Sequence, residues 1–295
     1  MTLTIIIICL IAERYLLDRR ELRNNDWFYA YNQWLQGHDL PQALRQGIIG
    51  ILLLILPPLL AVVLFQYLFE EAMFGLIWLL FSIMVLLYCL GPNDLDSEVN
   101  QYVDAVDNDD ENEIRVTATT LIKDEPPTSE PARSQAVAEG VLLQANHHLF
   151  SVLFWFLLLG PFGSLAYRIA TWLPAMGQSN KDTDYYLNSK QLVTILDWIP
   201  ARITAFCYAI AGSFEDALYG WRNYHETRFS EFGDSNSGIL ICTGGGAMRL
   251  STLINEAHEG AQSYSFLAKS AMALVWRSLV VFLVIIALLT FSGLL

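Results

Sequence analysis

The sequence is short of charge. Only 16% of its 295 residues are Asp, Glu, Lys or Arg, against roughly a quarter in an average soluble domain. Bases are the scarcer sign, with 17 Lys and Arg against 30 Asp and Glu, and this argues against a nucleic-acid binder, which needs basic surface to meet phosphate. Cysteine is sparse as well. Cys9, Cys89, Cys207 and Cys242 are scattered through apolar stretches, and no C-x-x-C pair or secreted disulfide framework emerges. There is no G-x-S-x-G, no H-E-x-x-H and no G-x-x-x-x-G-K-[ST], so the familiar hydrolase elbow, zinc-protease helix and P-loop are excluded. No residue stands out as catalytic and no metal-ligand set as such.

What the chain has instead is long runs without any ionisable group. Gln46 to Phe69 is uncharged and exceeds the roughly 20 residues a membrane helix needs. Pro57-Pro58 in its middle should kink it. Glu70-Glu71 makes a minimal polar turn, and a second run, Ala72 to Leu90, completes a helical hairpin. A third run, Leu149 to Tyr167, contains Gly160-Pro161-Phe162-Gly163, and the last, Ser278 to Leu295, can extend back through Ala271 if Arg277 snorkels or faces protein. Met1 to Ala12 and Ile203 to Phe214 are apolar but only half a span long. Met1 to Ala12 lacks a basic leader and a small-x-small cleavage site, so it reads as a retained helix.

The expected fold class is therefore all-α: a polytopic membrane helical protein with four spans, two shorter apolar half-spans and polar cytoplasmic segments. Three regions are expected. Residues 1–93 form an N-terminal membrane region with a hairpin at 46–90, and residues 94–133 an acidic flexible loop. Residues 134–295 form a core with membrane helices near 149–173, 203–214 and 271–295. Arg14, Arg19, Arg20, Arg23 and Arg45 place 13–46 in the cytoplasm by the positive-inside rule. The acidic segment then returns to the cytoplasm. For 174–270 the bases Arg168, Lys181 and Lys190 favour the inside, which a re-entrant hairpin turning at Gly160–Gly163 would permit.

The acidity is local. Asp94 to Glu125 holds eleven carboxylates against Arg115 and Lys123, which is −9 of the net −13. Asp107 to Glu113 has almost no apolar side chain, and a solvated loop is the reading its composition supports. Asp197 and Arg202 stand five residues apart beside a half-span with Pro200 between them, where the proline is expected to break the chain. Charges at a membrane margin are costly unless paired. Thr243-Gly244-Gly245-Gly246 reads as a flexible turn, with Arg249 as its nearest base and no Lys behind it. His147 and His148 are adjacent, about 100° apart on a helix, and poorly placed to share a metal.

The string Gly160-Pro161-Phe162-Gly163-Ser164-Leu165-Ala166-Tyr167-Arg168, then Met176-Gly177, then Leu196-Asp197-Trp198-Ile199-Pro200-Ala201-Arg202, resembles the CobD/CbiB superfamily. These are membrane proteins of cobalamin biosynthesis that join a corrinoid carboxylate to an aminopropanol phosphate through an amide. Within the superfamily, the Met1-Thr2-Leu3 opening, Glu13-Arg14 and the Leu196–Arg202 string most resemble the AmpE family. That branch implies an inner-membrane regulator linked to β-lactamase induction and cell-wall recycling. The sequence departs from the synthase pattern in three places. Glu13 to Arg20 lacks the Asp-Pro and His-Pro-Val motifs, and Ser189 to Thr194 replaces Ala-Arg-Leu-Asp-Asp. Asp234 to Gly238 keeps only Ser235, Asn236 and Gly238 of His-x-Ser-Pro-Asn-Ala-Gly.

Loss of the motif histidine and paired aspartates removes groups that handle protons or a metal–nucleotide. The expectation is a non-catalytic inner-membrane regulatory protein, multi-pass in the bacterial cytoplasmic membrane. Arg168 and Arg202 would offer donors to an anionic ligand, Asp197 would orient Arg202, and Asn236 would add a directional hydrogen bond. Its partners would be the lipid bilayer and a cytosolic or membrane protein of cell-wall recycling. The alternative is a divergent ATP-dependent amide-forming synthase, with ATP and Mg²⁺ as cofactors and Asp197, Glu139 or the acidic run as metal ligands.

Overall fold

A computed structural model describes residues 2–16, 26–37, 47–69, 76–90, 92–176, 184–227, 235–260 and 263–293. Among them there is no β-strand, and four helical stretches are long and apolar enough to cross a membrane: Ile49–Leu68, Glu130–Met176, Asp184–Ala211 and Ser265–Phe291. The all-α, multi-pass membrane architecture expected from the sequence is the one found. The chain divides into two compact units, Met1–Gly91 with Ser151–Asp197, and Pro92–Phe150 with Trp198–Leu295.

In the first unit, α1 (Thr2–Leu16), α2 (Asp26–Gly37), α3 (Gly47–Phe69), α4 (Leu76–Cys89) and α8 (Ser151–Met176) pack together. Helix α1 buries Ile5, Ile6 and Cys9 fully, and the Cys9 thiol donates to the Ile83 carbonyl of α4. Phe65 of α3 stacks on Phe81 of α4 at 4.2 Å. The Glu70-Glu71 turn lies outside the described residues. Helical structure continues through Pro57 and Pro58. Of the second apolar run, the described part is helical over Leu76–Cys89.

Helix α8 is two arms. Gly160 has φ 64° and ψ −149°, a conformation open to glycine and foreign to a helix. A Cβ at Gly163 would stand 2.2 Å from the Trp155 carbonyl oxygen. On a straight helix residues eight apart are separated by about 12 Å of rise, so the chain must fold back at Gly160. The chain thus reverses direction within Gly160–Gly163.

In the second unit, α5 (Pro92–Asp107) and α6 (Glu111–Ile122) replace the flexible loop expected at 94–133. The reason is periodicity hidden under the carboxylates. Leu95, Val99, Tyr102 and Val103, then Ile114, Ala118 and Leu121, recur at helical spacing and are all buried. Asp107 to Glu113 is wholly exposed, and there Asp110 caps α6 by accepting from the amides of Asn112 and Glu113 at 3.1 Å. Arg133 pairs with Glu111 at 2.7 Å, tying α6 to α7 (Glu130–Ala145). A π-turn, Asn146–Phe150, follows α7.

The half-span at 203–214 is corrected too. It belongs to α9 (Asp184–Ala211), 28 residues long and helical through Pro200, so the proline does not break the chain. The triple glycine is likewise no loop. It lies inside α11 (Ser235–Ala247), which packs on α10 (Phe214–Thr227). A Cβ at Gly220 would meet the Cys242 carbonyl oxygen at 2.2 Å, and one at Gly246 the Asp216 carbonyl oxygen at 2.4 Å. These glycines let two backbones touch, an arrangement common between membrane helices. Helix α12 (Leu250–His258) leaves α11 at 61°, and the pair together is long enough for a broken span. Helix α13 (Ser265–Phe291) packs on α7 and α5, with Phe282 edge-on to Phe150.

Candidate functional site

The four residues singled out from the sequence fall into two groups, one in each unit. In the first, Asp197 of α9 is 2% exposed. Its Oδ1 accepts from the Ser151 hydroxyl at 2.8 Å and the Tyr167 hydroxyl at 2.7 Å. Ser151 opens the outward arm of α8 and Tyr167 sits on the returning arm, so the fold-back at Gly160 is what brings both hydroxyls to one oxygen. The Trp155 indole N–H donates to the Leu196 carbonyl at 3.3 Å. Arg168, next along, stacks its guanidinium over Trp172 at 5.8 Å.

The second group lies in the other unit. The Arg202 guanidinium lies over the Trp198 ring at 4.0 Å. Its Nη1 donates to the Trp198 carbonyl at 2.6 Å and to Asn236 Oδ1 at 3.2 Å. Asn236 is 3% exposed, in the first turn of α11. Two sequence-selected residues 34 positions apart are thus in direct contact. Nearby, the Thr204 hydroxyl donates to Asn146 of the π-turn at 2.9 Å, the kind of irregular helix that recurs at functional sites. The role foreseen for Asp197, orienting Arg202, is not the one the bonds to Ser151 and Tyr167 describe. Five residues of helix turn through about 500°, so the two side chains leave α9 about 140° apart.

The second unit also has an open pocket of about 830 Å³ walled by α7, α10, α11 and α12. Gln135 and Glu139 line one side, bonded to each other at 2.8 Å. Asp216, Tyr219 and Arg249 line the other. Arg249 Nε donates to Asp216 Oδ2 at 2.7 Å, and the Ser213 hydroxyl donates to the same oxygen at 2.5 Å. The Ser213 hydroxyl and the Arg249 guanidinium hold the Asp216 carboxyl below its ordinary pKa. Arg249 itself has φ 53°, a left-handed conformation that costs a non-glycine residue roughly 1 kcal/mol or more. That backbone makes the sharp turn from α11 to α12. Sequence reading named Glu139 and Arg249 only in passing and overlooked Gln135 and Asp216, because nothing in linear spacing joins four separate helices.

Among the described residues no three of His, Cys, Asp and Glu come together as a metal site.

A helical, multi-pass membrane protein with a helical hairpin folded at Gly160 and a glycine-packed helix pair is the class these features define. The chain belongs to the CobD/Cbib protein family, whose sequence profile matches residues 6–290. A cobalamin biosynthesis protein CobD of Chromobacterium violaceum is 33% identical over 123 residues, 40% of this chain and 37% of that protein. A cobalamin biosynthesis protein CobD of Stutzerimonas stutzeri is 28% identical over 177 residues, 59% of this chain and 57% of that protein. The chain thus aligns with less than two thirds of either relative's length. No solved structure matches.

These names overturn the expected non-catalytic regulator, since both relatives are named for cobalamin biosynthesis. The sequence reading gave too much weight to a few missing motif residues and too little to likeness along the whole chain. Nothing in the comparisons supports a link to β-lactamase induction.

Proposed function

We propose that the chain acts in cobalamin biosynthesis as a CobD-type membrane protein that joins a carboxylate to an amine. The observation that carries this is the family match over 6–290 together with the printed names of both relatives. The geometry supports a substrate-binding role for the second unit. Arg202, held flat on Trp198 and steered by Asn236, presents a guanidinium suited to a carboxylate or phosphate. Arg249 and Glu139 place opposite charges on the walls of one pocket, which suits a substrate carrying both an anionic group and an ammonium.

For the Mg²⁺ that the resemblance implies together with ATP, no three of His, Cys, Asp and Glu converge among the described residues. We place the chain in the bacterial inner membrane with 13–46 on the cytoplasmic side, on the strength of its arginines. The finer placement within the AmpE branch rests on the Met1-Thr2-Leu3 opening and the Leu196–Arg202 string. It describes sequence kinship and carries no activity.

Complementation tests the proposal. Expression in a strain lacking its own CobD should restore cobalamin-dependent growth, and Arg202→Ala should abolish the rescue while the protein still accumulates in the membrane. Absence of rescue by wild-type protein that accumulates normally overturns the synthase reading.

A further inference from the structure

Helix α2 has an unusual make-up for a segment flanked by membrane helices. Its sequence, Asp26-Trp27-Phe28-Tyr29-Ala30-Tyr31-Asn32-Gln33-Trp34-Leu35-Gln36-Gly37, holds five aromatic rings and one charge. One side is fastened to the first unit. Phe28 is fully buried, with its ring 5.5 Å from Trp172 of α8. The Trp27 indole N–H donates to the Tyr88 hydroxyl, near the end of α4, at 2.6 Å. The Tyr31 hydroxyl reaches the Leu53 carbonyl of α3 at 3.4 Å. Leu53 is six residues into α3, roughly 9 Å along its axis at 1.5 Å per residue. Helix α2 therefore sits against the first turns of a candidate span rather than beyond it.

The other side is open. Trp27, Ala30 and Trp34 share one face at helical spacing, and all are exposed, with Trp34 at 59%. Tyr31 and Trp34 stack at 6.2 Å, so the exposed indole is held against a ring that is itself tied to α3. In the same unit α3 leaves Leu52, Leu56, Leu60 and Leu64 exposed along one stripe, the surface that a membrane span offers to acyl chains.

We propose that α2 is an interfacial helix whose exposed Trp27 and Trp34 face lies in the headgroup and upper acyl zone of the bilayer. Indole rings favour that zone because an apolar body and a polar N–H are both satisfied there. With Asp26 its one charged residue, the helix binds the bilayer through aromatic surface and not through attraction to anionic lipid, so salt leaves the contact unchanged.

The test uses the full chain in nanodiscs and reads the Trp34 emission as the difference between wild type and Trp34→Phe. Lipids brominated just below the ester carbonyls should extinguish most of that emission, at low and high salt alike. Lipids brominated near the chain ends should extinguish little of it. Quenching by aqueous iodide would overturn the proposal by placing Trp34 in water. Insensitivity to both lipid bromine and iodide would overturn it by placing a protein surface, such as a second copy, over the helix. Stronger quenching from the deep bromines would overturn it by making α2 part of a span.

Discussion

Helix α9 carries two charged side chains five residues apart, and their surroundings are opposites. Asp197 is enclosed, with two hydroxyls aimed at one of its oxygens by a chain that doubles back to deliver them. Arg202 lies on an indole that is itself 54% exposed, and it donates to the Trp198 carbonyl at 2.6 Å and to the buried Asn236 amide oxygen at 3.2 Å. A charge buried in a low-dielectric interior must be met by hydrogen bonds or it destabilises the fold. A half-buried charge beside an exposed indole can meet something that arrives. The difference teaches that the motif Leu196–Arg202 combines a structural fastening and a recognition group within two turns of one helix. It also shows that the charged residues of a motif need not share a task.

The largest expected effect is on the fastening. Asp197→Leu removes the acceptor and strands the Ser151 and Tyr167 hydroxyls in an apolar interior, which costs about 3 kcal/mol or more when a buried network loses one member. Membrane accumulation and thermal stability in detergent should both fall sharply. Tyr167→Phe, which removes one donor and leaves the carboxylate its Ser151 bond, should cost roughly half as much. If Asp197→Leu accumulates and melts like wild type, the enclosed carboxylate is not a fastening and the contrast collapses.

A second variant sharpens the comparison by showing what holds the unit that contains Arg202. Gly220→Leu must push α10 off the Cys242 carbonyl of α11, with an expected loss of about 1–3 kcal/mol from overpacking. Thermal melts would detect it. Arg202→Ala, in contrast, removes a half-buried side chain and one donor to Asn236, and should lower the melt by only about 1 kcal/mol, well short of Asp197→Leu. It should weaken substrate capture by roughly tenfold or more, the usual worth of a charge-assisted hydrogen bond. Arg202→Lys keeps the charge but loses the planar stack on Trp198, and should recover only part of that. An Arg202→Ala protein that unfolds early would move Arg202 into the structural class with Asp197.

Much of the fold was legible because absence of charge is hard to disguise: Gln46–Phe69 and the C-terminal helix could be read at sight. The hairpin at Gly160 was legible too, since glycine and proline leave few alternatives. The acidic helices were not. Their carboxylates dominate the composition, while the apolar stripe through Leu95, Val99, Tyr102 and Val103 occupies few positions and needs helix α13 to reveal its use. Gly244–Gly246 misled for a similar reason. Local preference says turn, and only the packed helix shows why glycine suits it: Gly246 meets the Asp216 carbonyl of α10 and Gly244 the side chains of Leu142 and Tyr208. Of the site, Arg202 and Asn236 were each available through family strings, while their contact at 3.2 Å was visible only in the fold. The Arg249–Asp216 pair was invisible, because no sequence pattern announces an arginine in the left-handed conformation.

The smallest effect concerns that overlooked pair. Ser213 and Arg249 favour the ionised form of Asp216 and hold its carboxyl below the ordinary value, so folding and ionisation support each other. For an acid whose folded pKa is depressed, the contribution is complete above the unfolded pKa, near 3.9 for Asp. It disappears as pH falls through the lower folded value. Wild type should therefore melt slightly above Asp216→Asn at neutral pH, with the gap constant down to about pH 5 and closing below it. Because the pair is exposed at the mouth of the pocket, with Arg249 at 65% and Asp216 at 46%, the gap should also narrow with added salt. A gap that widens on acidification would mean that Asp216 is held as the neutral acid, and the ion pair would then no longer count as the brace that keeps Arg249 in its left-handed turn.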